Sequence, residues 1–303
     1  MNSKYRYINI CKYQTIPIFN QPSWLDFASY KWDVFEICGS GSLKLYLPYV
    51  IKKKIYNYSS MPDLTQKFSI ISNKEIVLDE KILTLISTNL QTLSDKFIYF
   101  NQTLSENFNQ LKYTLNEKFI TKHSKSYFIN KNHINYKSEY SSNIKNLLNK
   151  AKKNKFFIIE DSIENFIVNY NLNLSRINKD NYYSEFFLFK LHEYINLNKC
   201  GKIFSVVDDA NVSHASSMII WDNNDVYMIL LSSNKKLLSQ GGSIFLIDEL
   251  IRFAHSNNKN FDFEGSSIPK IEFFYSRFTK NYKKILEVKF FKNNLIKFLC
   301  KFK

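Results

Sequence analysis

From Ser138 to Phe290 the hydrophobic pattern changes period again and again, and the order of those changes restricts the fold more than any other feature of the chain. Apolar residues recur at helical spacing in "SEYSSNIKNLLNKAKKN" (138–154), "SIENFIVNYNL" and "NYYSEFFLFKLHEYINL". They do so again over 243–256 and from Ser267 to Phe278. Between and after these stretches lie short apolar runs: "FFIIE" (156–160), "KIFSVVDD", "VSHASSMIIW", "DVYMILLSS", "NFDFE" and "KKILEVKF". A period near 3.6 marks a helix with one apolar face, and runs of four to eight residues bounded by turn signals mark strands. After the opening helix the order is β-α-α-β-β-β-α-β-α-β, which predicts a mixed α/β domain.

The first half is less regular. "QPSWLDFASY" is a helix signal with Pro22 suited to a first turn. "WDVFEIC", "GSGS" and "LKLYLPYVI" read as a hairpin, and "DEKILTLISTNL" as a helix with Asp79 as N-cap, followed by a strand at "KFIYF". A weak echo of strand, polar turn and strand appears in both halves. The expected division is 1–130 for a degenerate first domain and 131–303 for the second, with their junction near 126–137.

Composition bounds the function. Formal net charge is +15, yet only Arg6, Arg176, Arg252 and Arg277 are arginines among 42 basic residues. Lysine with abundant Asn, Ile, Phe and Tyr is what AT-rich codons produce, so most of this charge needs no polyanionic partner. Arginine is the residue favoured for bidentate phosphate and base contacts, so nucleic acid is not the expected partner. Cys11, Cys38, Cys200 and Cys300 form no CxxC pair and the histidines show no HExxH spacing, so free buried thiols are expected and no metal site. No long apolar span and no leader-like apolar region occur, which predicts a cytoplasmic protein.

Six glycines serve the whole chain, and Gly241 and Gly242 are adjacent, between the strand-like "VYMILLSS" and the helical 243–256. Adjacent glycines predict an unusually close approach to the backbone. One reading is a surface loop in which the amides of Gln240, Gly241, Gly242 and Ser243 surround a helix N-terminus and receive a phosphate. The other is an ordinary turn with Ser243 as N-cap. In "NFDFEGSS", alternation puts Asp262 and Glu264 on one strand face, where Glu264 serves as general base or faces the start of a helix capped by Ser267. Tyr275 in "IEFFYSRF" has a hydroxyl able to donate a proton, or is a core aromatic among Phe273, Phe274 and Phe278. His214 faces a cleft or is structural. Lys145, Lys150, Lys152, Lys153 and Lys155 occur without an intervening acid and read as a solvated helix face. In "FFKNNLIKFLCKFK", Phe291, Leu295, Phe298 and Phe302 alternate with lysines at helical spacing, a segment that docks on the first domain or lies on a membrane surface.

The element order resembles that of the GNAT acyltransferase fold. The likeness is nearest to bacterial tandem-domain proteins related to the Fem-type aminoacyltransferases. "IPIFNQPSWLDFA", "LYLPYVIKKK" and "MPDLTQ" resemble the first-domain opening of that family. "SSNIKNLLNKAKKN" resembles its basic linking helix, and "GGSIFLIDELIRFA" and "FDFEGSSIPKIEFFYSRF" its loop–helix and strand–helix segments. The chain departs from the pattern at Asp248, where tryptophan is common, and at Thr279, where glycine follows "SRF". The resemblance implies tandem GNAT-like domains, with acyl-CoA pyrophosphate held by Gln240, Gly241, Gly242 and Ser243, Tyr275 as proton donor, and no metal. The leading expectation is transfer of an acyl group, acetyl first, from acyl-CoA to an amine or hydroxyl acceptor. That acceptor is a small molecule or a lipid-linked one, such as a sugar in cell-envelope or polysaccharide synthesis. The alternative is Fem-type transfer from aminoacyl-tRNA to a peptidoglycan precursor, with a lysine-rich linking helix that helps hold a phosphorylated substrate. A third reading is a binding protein of the same fold without catalysis.

Overall fold

The computed structural model describes residues 2–175, 183–265 and 268–299. The chain forms two compact units, Met1–Lys125 together with Lys283–Lys303, and Ser126–Tyr282. Helices and strands alternate as the periodicity predicts, and the architecture is mixed α/β.

The first unit opens with α1 (Ser3–Cys11), a helix that the sequence reading did not assign, and α2 (Pro22–Ala28), which has Pro22 in its first turn. β1 (Trp32–Cys38) and β2 (Lys44–Val50) are the expected hairpin, in register from Trp32 opposite Val50 to Cys38 opposite Lys44. Gly41 turns it at φ +63°. A second, two-residue-per-strand hairpin follows, β3 (Lys52–Lys53) with β4 (Asn57–Tyr58), then β5 (Ile71–Ser72) beside β2. In α3 (Glu80–Ser94) the Asp79 carboxylate accepts the Ile82 amide at 2.9 Å, the expected N-cap. The strand expected at 96–100 is β6 (Tyr99–Leu104), because Lys96 and Phe97 bond back to Leu93 and Ser94 in a turn.

β7 (Phe119–Ile129) is not legible as a strand, since its middle reads Thr-Lys-His-Ser-Lys and is exposed or half-buried. It leads into the second unit: α4 (Ser142–Lys153), β8 (Phe157–Glu160), α5 (Ile163–Ser175), α6 (Glu185–Asn198), β9 (Gly201–Val207), β10 (Ser213–Trp221) and β11 (Asp225–Ser233). α7 (Gly242–Ser256), β12 (Asn260–Asp262) and α8 (Pro269–Tyr275) complete it. The helix expected from Ser267 to Phe278 is therefore shorter, and Ser267, its expected cap, lies outside the described residues. Strand order in this unit is β7-β12-β11-β10-β9-β8, parallel at β11–β12 and antiparallel elsewhere. The core includes Ile244, Ile247, Ile251, Ile219, Val226, Phe261 and Phe278. β13 (Tyr282–Phe291) returns the chain to the first unit, pairing antiparallel with β6, and α9 (Asn294–Leu299) follows.

Candidate functional site

The sheet of the second unit opens beside β11. β12 pairs with it only from Asp225–Asn260 to Tyr227–Asp262, whereas β11 continues to Ser233. Their pairing thus stops after three residue pairs, towards their carboxyl ends, the place where ligands bind in open α/β sheets. β11 also carries a bulge. Met218 faces Leu230 and Ile219 faces Met228, so Ile229 has no opposite residue on β10. A bulge re-aims the backbone and recurs next to active sites, and nothing in "VYMILLSS" announces it.

Beyond β11, a 3₁₀ turn over Lys235–Gln240 leads to Gly241, which at φ +87° starts α7. No side chain caps this helix, and its first backbone bond runs from the Phe245 amide to the Gly241 carbonyl. Ser243 is not the N-cap. Its hydroxyl donates to Ser233 Oγ at 2.8 Å and ties the helix to the end of β11. The loop does not lie at the surface, because Gly241, Gly242 and Ser243 are buried. The close approach expected at the glycines is present, but protein atoms make it. A Cβ on Gly241 would stand 2.3 Å from the Leu147 carbonyl oxygen of α4, and one on Gly242 would stand 2.5 Å from His214 Cβ. The requirement for glycine thus comes from inside the fold, and the α7 amides remain as the part of the loop that suits an anion.

α4 is the lysine-bearing helix, and it reaches this loop directly. Besides the Leu147 contact, Asn154 Nδ2 donates to the Gln240 carbonyl at 3.2 Å. Its Ile144, Leu148 and Ala151 are buried while Lys145, Lys150, Lys152 and Lys153 are exposed, the solvated face that the spacing predicts.

His214 is packed inside the second unit. It is 2% exposed on β10, its ring lies 4.3 Å from that of Phe156, and its Nε2 is 3.1 Å from Asp208 Oδ2. With that contact assigned as Nε2–H donating to the carboxylate, the lone pair sits on Nδ1, which has no partner and is turned towards Gly242. The same hydrogen bond, with the Val212 amide, holds the Asp208 carboxyl below the usual carboxylate range. Beside it a polar cavity of about 20 Å³, lined by Asn169, Ser213, Ser232 and Asn234, has room for one water.

Glu264 and Tyr275 form a second group. The strand alternation invoked for Asp262 and Glu264 fails, because β12 ends at Asp262 and Glu264 takes a left-handed φ of +55°. The two residues meet differently: the Glu264 amide donates to Asp262 Oδ1 at 2.9 Å, and Ser126 Oγ donates to the same oxygen at 2.5 Å. Tyr275 closes α8 in the core with its ring 5.1 Å from Phe263. Burial, and after it the Glu264 carboxylate, pushes its hydroxyl well above the ordinary tyrosine range, so it holds its proton at neutral pH.

Both departures from the family pattern are occupied by polar networks. Asp248 is 1% exposed and accepts from Lys137 Nζ at 2.7 Å and Tyr140 OH at 3.0 Å. Thr279 Oγ1 donates to Glu139 Oε2 at 2.8 Å, joined there by the Lys280 amide at 3.1 Å. Burial alone would raise the Glu139 pKa, but these donors outweigh it and the value is lowered. A depressed folded pKa contributes stability above the ordinary value near 4.5, and that contribution is lost as pH falls through the folded value. Thr279→Val should therefore cost about 1 kcal/mol at neutral pH. The deficit should shrink in acid, once Glu139 is protonated. Urea melts at neutral and acidic pH check this, and an equal deficit at both would detach Thr279 from the carboxylate.

Among the described residues no group of three or more His, Cys, Asp and Glu could hold a metal ion. Cys11 and Cys200 are free and half-buried and Cys38 is free and exposed, so the thiols are not the buried set expected, and Cys300 lies outside the described residues. No described helix is long and apolar enough to cross a membrane.

No family model matches this sequence, and no curated protein matches it. Its fold does match solved structures over nearly the whole chain. FemX superposes with a TM-score of 0.63 at 9% identity, covering 99% of this chain and 98% of that one. L-PGS from Bacillus licheniformis gives 0.55 at 10% identity, covering 95% and 92%. The C-terminal domain of a protein assigned as a lysylphosphatidylglycerol synthetase, from Agrobacterium fabrum, gives 0.56 at 10%, covering 94% and 91%. At these identities the likeness establishes the fold alone, the one shared with FemX, L-PGS and that C-terminal domain.

Proposed function

We propose that the chain is an aminoacyltransferase that moves an aminoacyl group from aminoacyl-tRNA to an amine or hydroxyl acceptor. The observation that carries this reading is the direct seat of the lysine-bearing α4 on the uncapped α7 N-terminus. The exposed lysines of α4 beside that helix start suit a polynucleotide end better than one pyrophosphate. The whole-chain fold shared with FemX supports it, and so does the likeness to a protein assigned as a lysylphosphatidylglycerol synthetase, whose name joins an amino acid to a lipid. In the reaction the acceptor nucleophile attacks the ester carbonyl and loses its proton to Glu264. The ester C–O bond breaks, and the leaving 3′ oxygen takes a proton from Tyr275. The role we assign to the Ile229 bulge is a backbone amide for the developing oxyanion.

Acyl-CoA remains the second reading, favoured by the same α7 amides. Thermal-shift and single-turnover measurements with aminoacyl-tRNA and with acetyl-CoA separate the two. Aminoacyl-tRNA should stabilise the protein and be turned over, with binding that weakens steeply with salt. Replacing Lys150, Lys152 and Lys153 by glutamine should reduce that salt slope by about 2. Tyr275→Phe should leave binding intact and slow transfer on the order of 10²-fold. Turnover of acetyl-CoA with no response to tRNA would overturn the proposal. Full activity of Tyr275→Phe would return that residue to the core alone.

A further inference from the structure

In the first unit, two segments far apart in sequence expose apolar side chains around one cavity. At the tip of the β3–β4 hairpin Ile55 is 84% exposed and Tyr56 63%, and on α9 Leu295 is 67% and Phe298 58% exposed. The cavity between them measures about 340 Å³ and is lined by Ile55, Tyr56, Tyr58, Ile98, Tyr99 and Ile296, with Lys54 at its edge. Hydrogen bonds hold this arrangement: the Ile98 amide donates to the Asn57 carbonyl, and the Lys292 amide to the Ile98 carbonyl. The Tyr99 and Phe291 rings lie 5.0 Å apart beneath it.

The charge that the two exposed segments carry has one sign. Lys53, Lys54 and Lys292 are exposed. The sequence has no Asp or Glu between Glu36 and Asp63, and none after Glu287. Exposed apolar tips inside a lysine rim match the boundary of an anionic bilayer, where apolar side chains enter the acyl region and lysines meet the headgroups. A nucleic acid would use the lysines and leave Ile55, Leu295 and the apolar cavity wet.

We propose that the β3–β4 tip and α9 together form a docking face for an anionic lipid surface. Ile55, Tyr56, Leu295 and Phe298 enter the acyl boundary, and the apolar cavity between them accepts part of a lipid chain. The proposal goes beyond the transfer reaction and does not depend on it, since the patch and the candidate site draw on different residues.

Flotation of the full chain with phosphatidylcholine vesicles, and with vesicles that also contain phosphatidylglycerol, tests it. Binding is expected to the anionic vesicles and to weaken with salt. Ile55→Ser with Tyr56→Ser, and separately Lys53→Glu with Lys54→Glu, should each reduce it at least about tenfold. All four positions are exposed, so the fold should persist, and circular dichroism of each variant checks this. A second readout needs no loss of binding: Ile55→Trp should gain a blue-shifted emission component when anionic vesicles are added. Equal binding to both vesicle types, no binding, or an unshifted Ile55→Trp emission would overturn the proposal. So would lysine variants that lose binding while the serine variant keeps it, which would make the patch a polyanion site.

Discussion

Replacing Asp248 by alanine is expected to destabilise the second unit by about 3 kcal/mol. The carboxylate is 1% exposed, and its two donors come from the segment between β7 and α4. Alanine leaves the Tyr140 hydroxyl buried without its acceptor and removes the charge that holds Lys137 across the helix. Lys137 is 43% exposed at its side chain and can turn back to water, so the cost should stay below that of a fully buried pair. Asp248→Asn keeps one acceptor and should lose less. Urea melts of the two variants measure the difference. A loss for alanine within about 0.5 kcal/mol, the usual range for surface substitutions, would show that this network is incidental.

Gly241→Ala should cost a similar amount, about 3 kcal/mol, for two reasons that can be measured apart. A side chain at φ +87° is strained by about 1–2 kcal/mol. The new methyl would also stand 2.3 Å from the Leu147 carbonyl oxygen, a backbone atom that moves only if α4 moves. Gly41→Ala separates the terms, because Gly41 has φ +63° but nothing within 4 Å of the new methyl. It should cost only about 1 kcal/mol, as strain alone does. Equal losses at the two positions would mean that α4 does not press on the loop. Gly241→Val adds two further methyls in the same space, so it disrupts folding and is no clean test of phosphate binding.

Local chemistry was legible where one residue type had one reason to be there. Pro22 in a first turn, Asp79 as an N-cap and the Gly41 hairpin each act within a few residues. The strands β9 to β11 carry short apolar runs bounded by turn signals, so their assignment needed no partner. β7 escaped because only its ends are apolar, and its middle is held by strand pairing that no period records. In the candidate site, burial and then the Glu264 carboxylate raise the Tyr275 hydroxyl above its ordinary range, an effect that no local pattern announces. The means proposed for joining Glu264 to Asp262 was wrong, since one left-handed residue ends the alternation.

By itself the sequence determined the order of helices and strands, the lysine-rich charge and the need for something close at Gly241 and Gly242. Each of these is set by neighbours in the chain or by composition. Only the tertiary structure decided what that something is. The Leu147 carbonyl lies 94 residues from Gly241 and His214 lies 28 from Gly242, so neither contact leaves a mark in a local pattern. The Ile229 bulge, the Asp248 network and the apolar patch shared by Ile55 and Leu295 are of the same kind. Register, burial and proximity across a sheet or between distant segments arise only when the chain has packed.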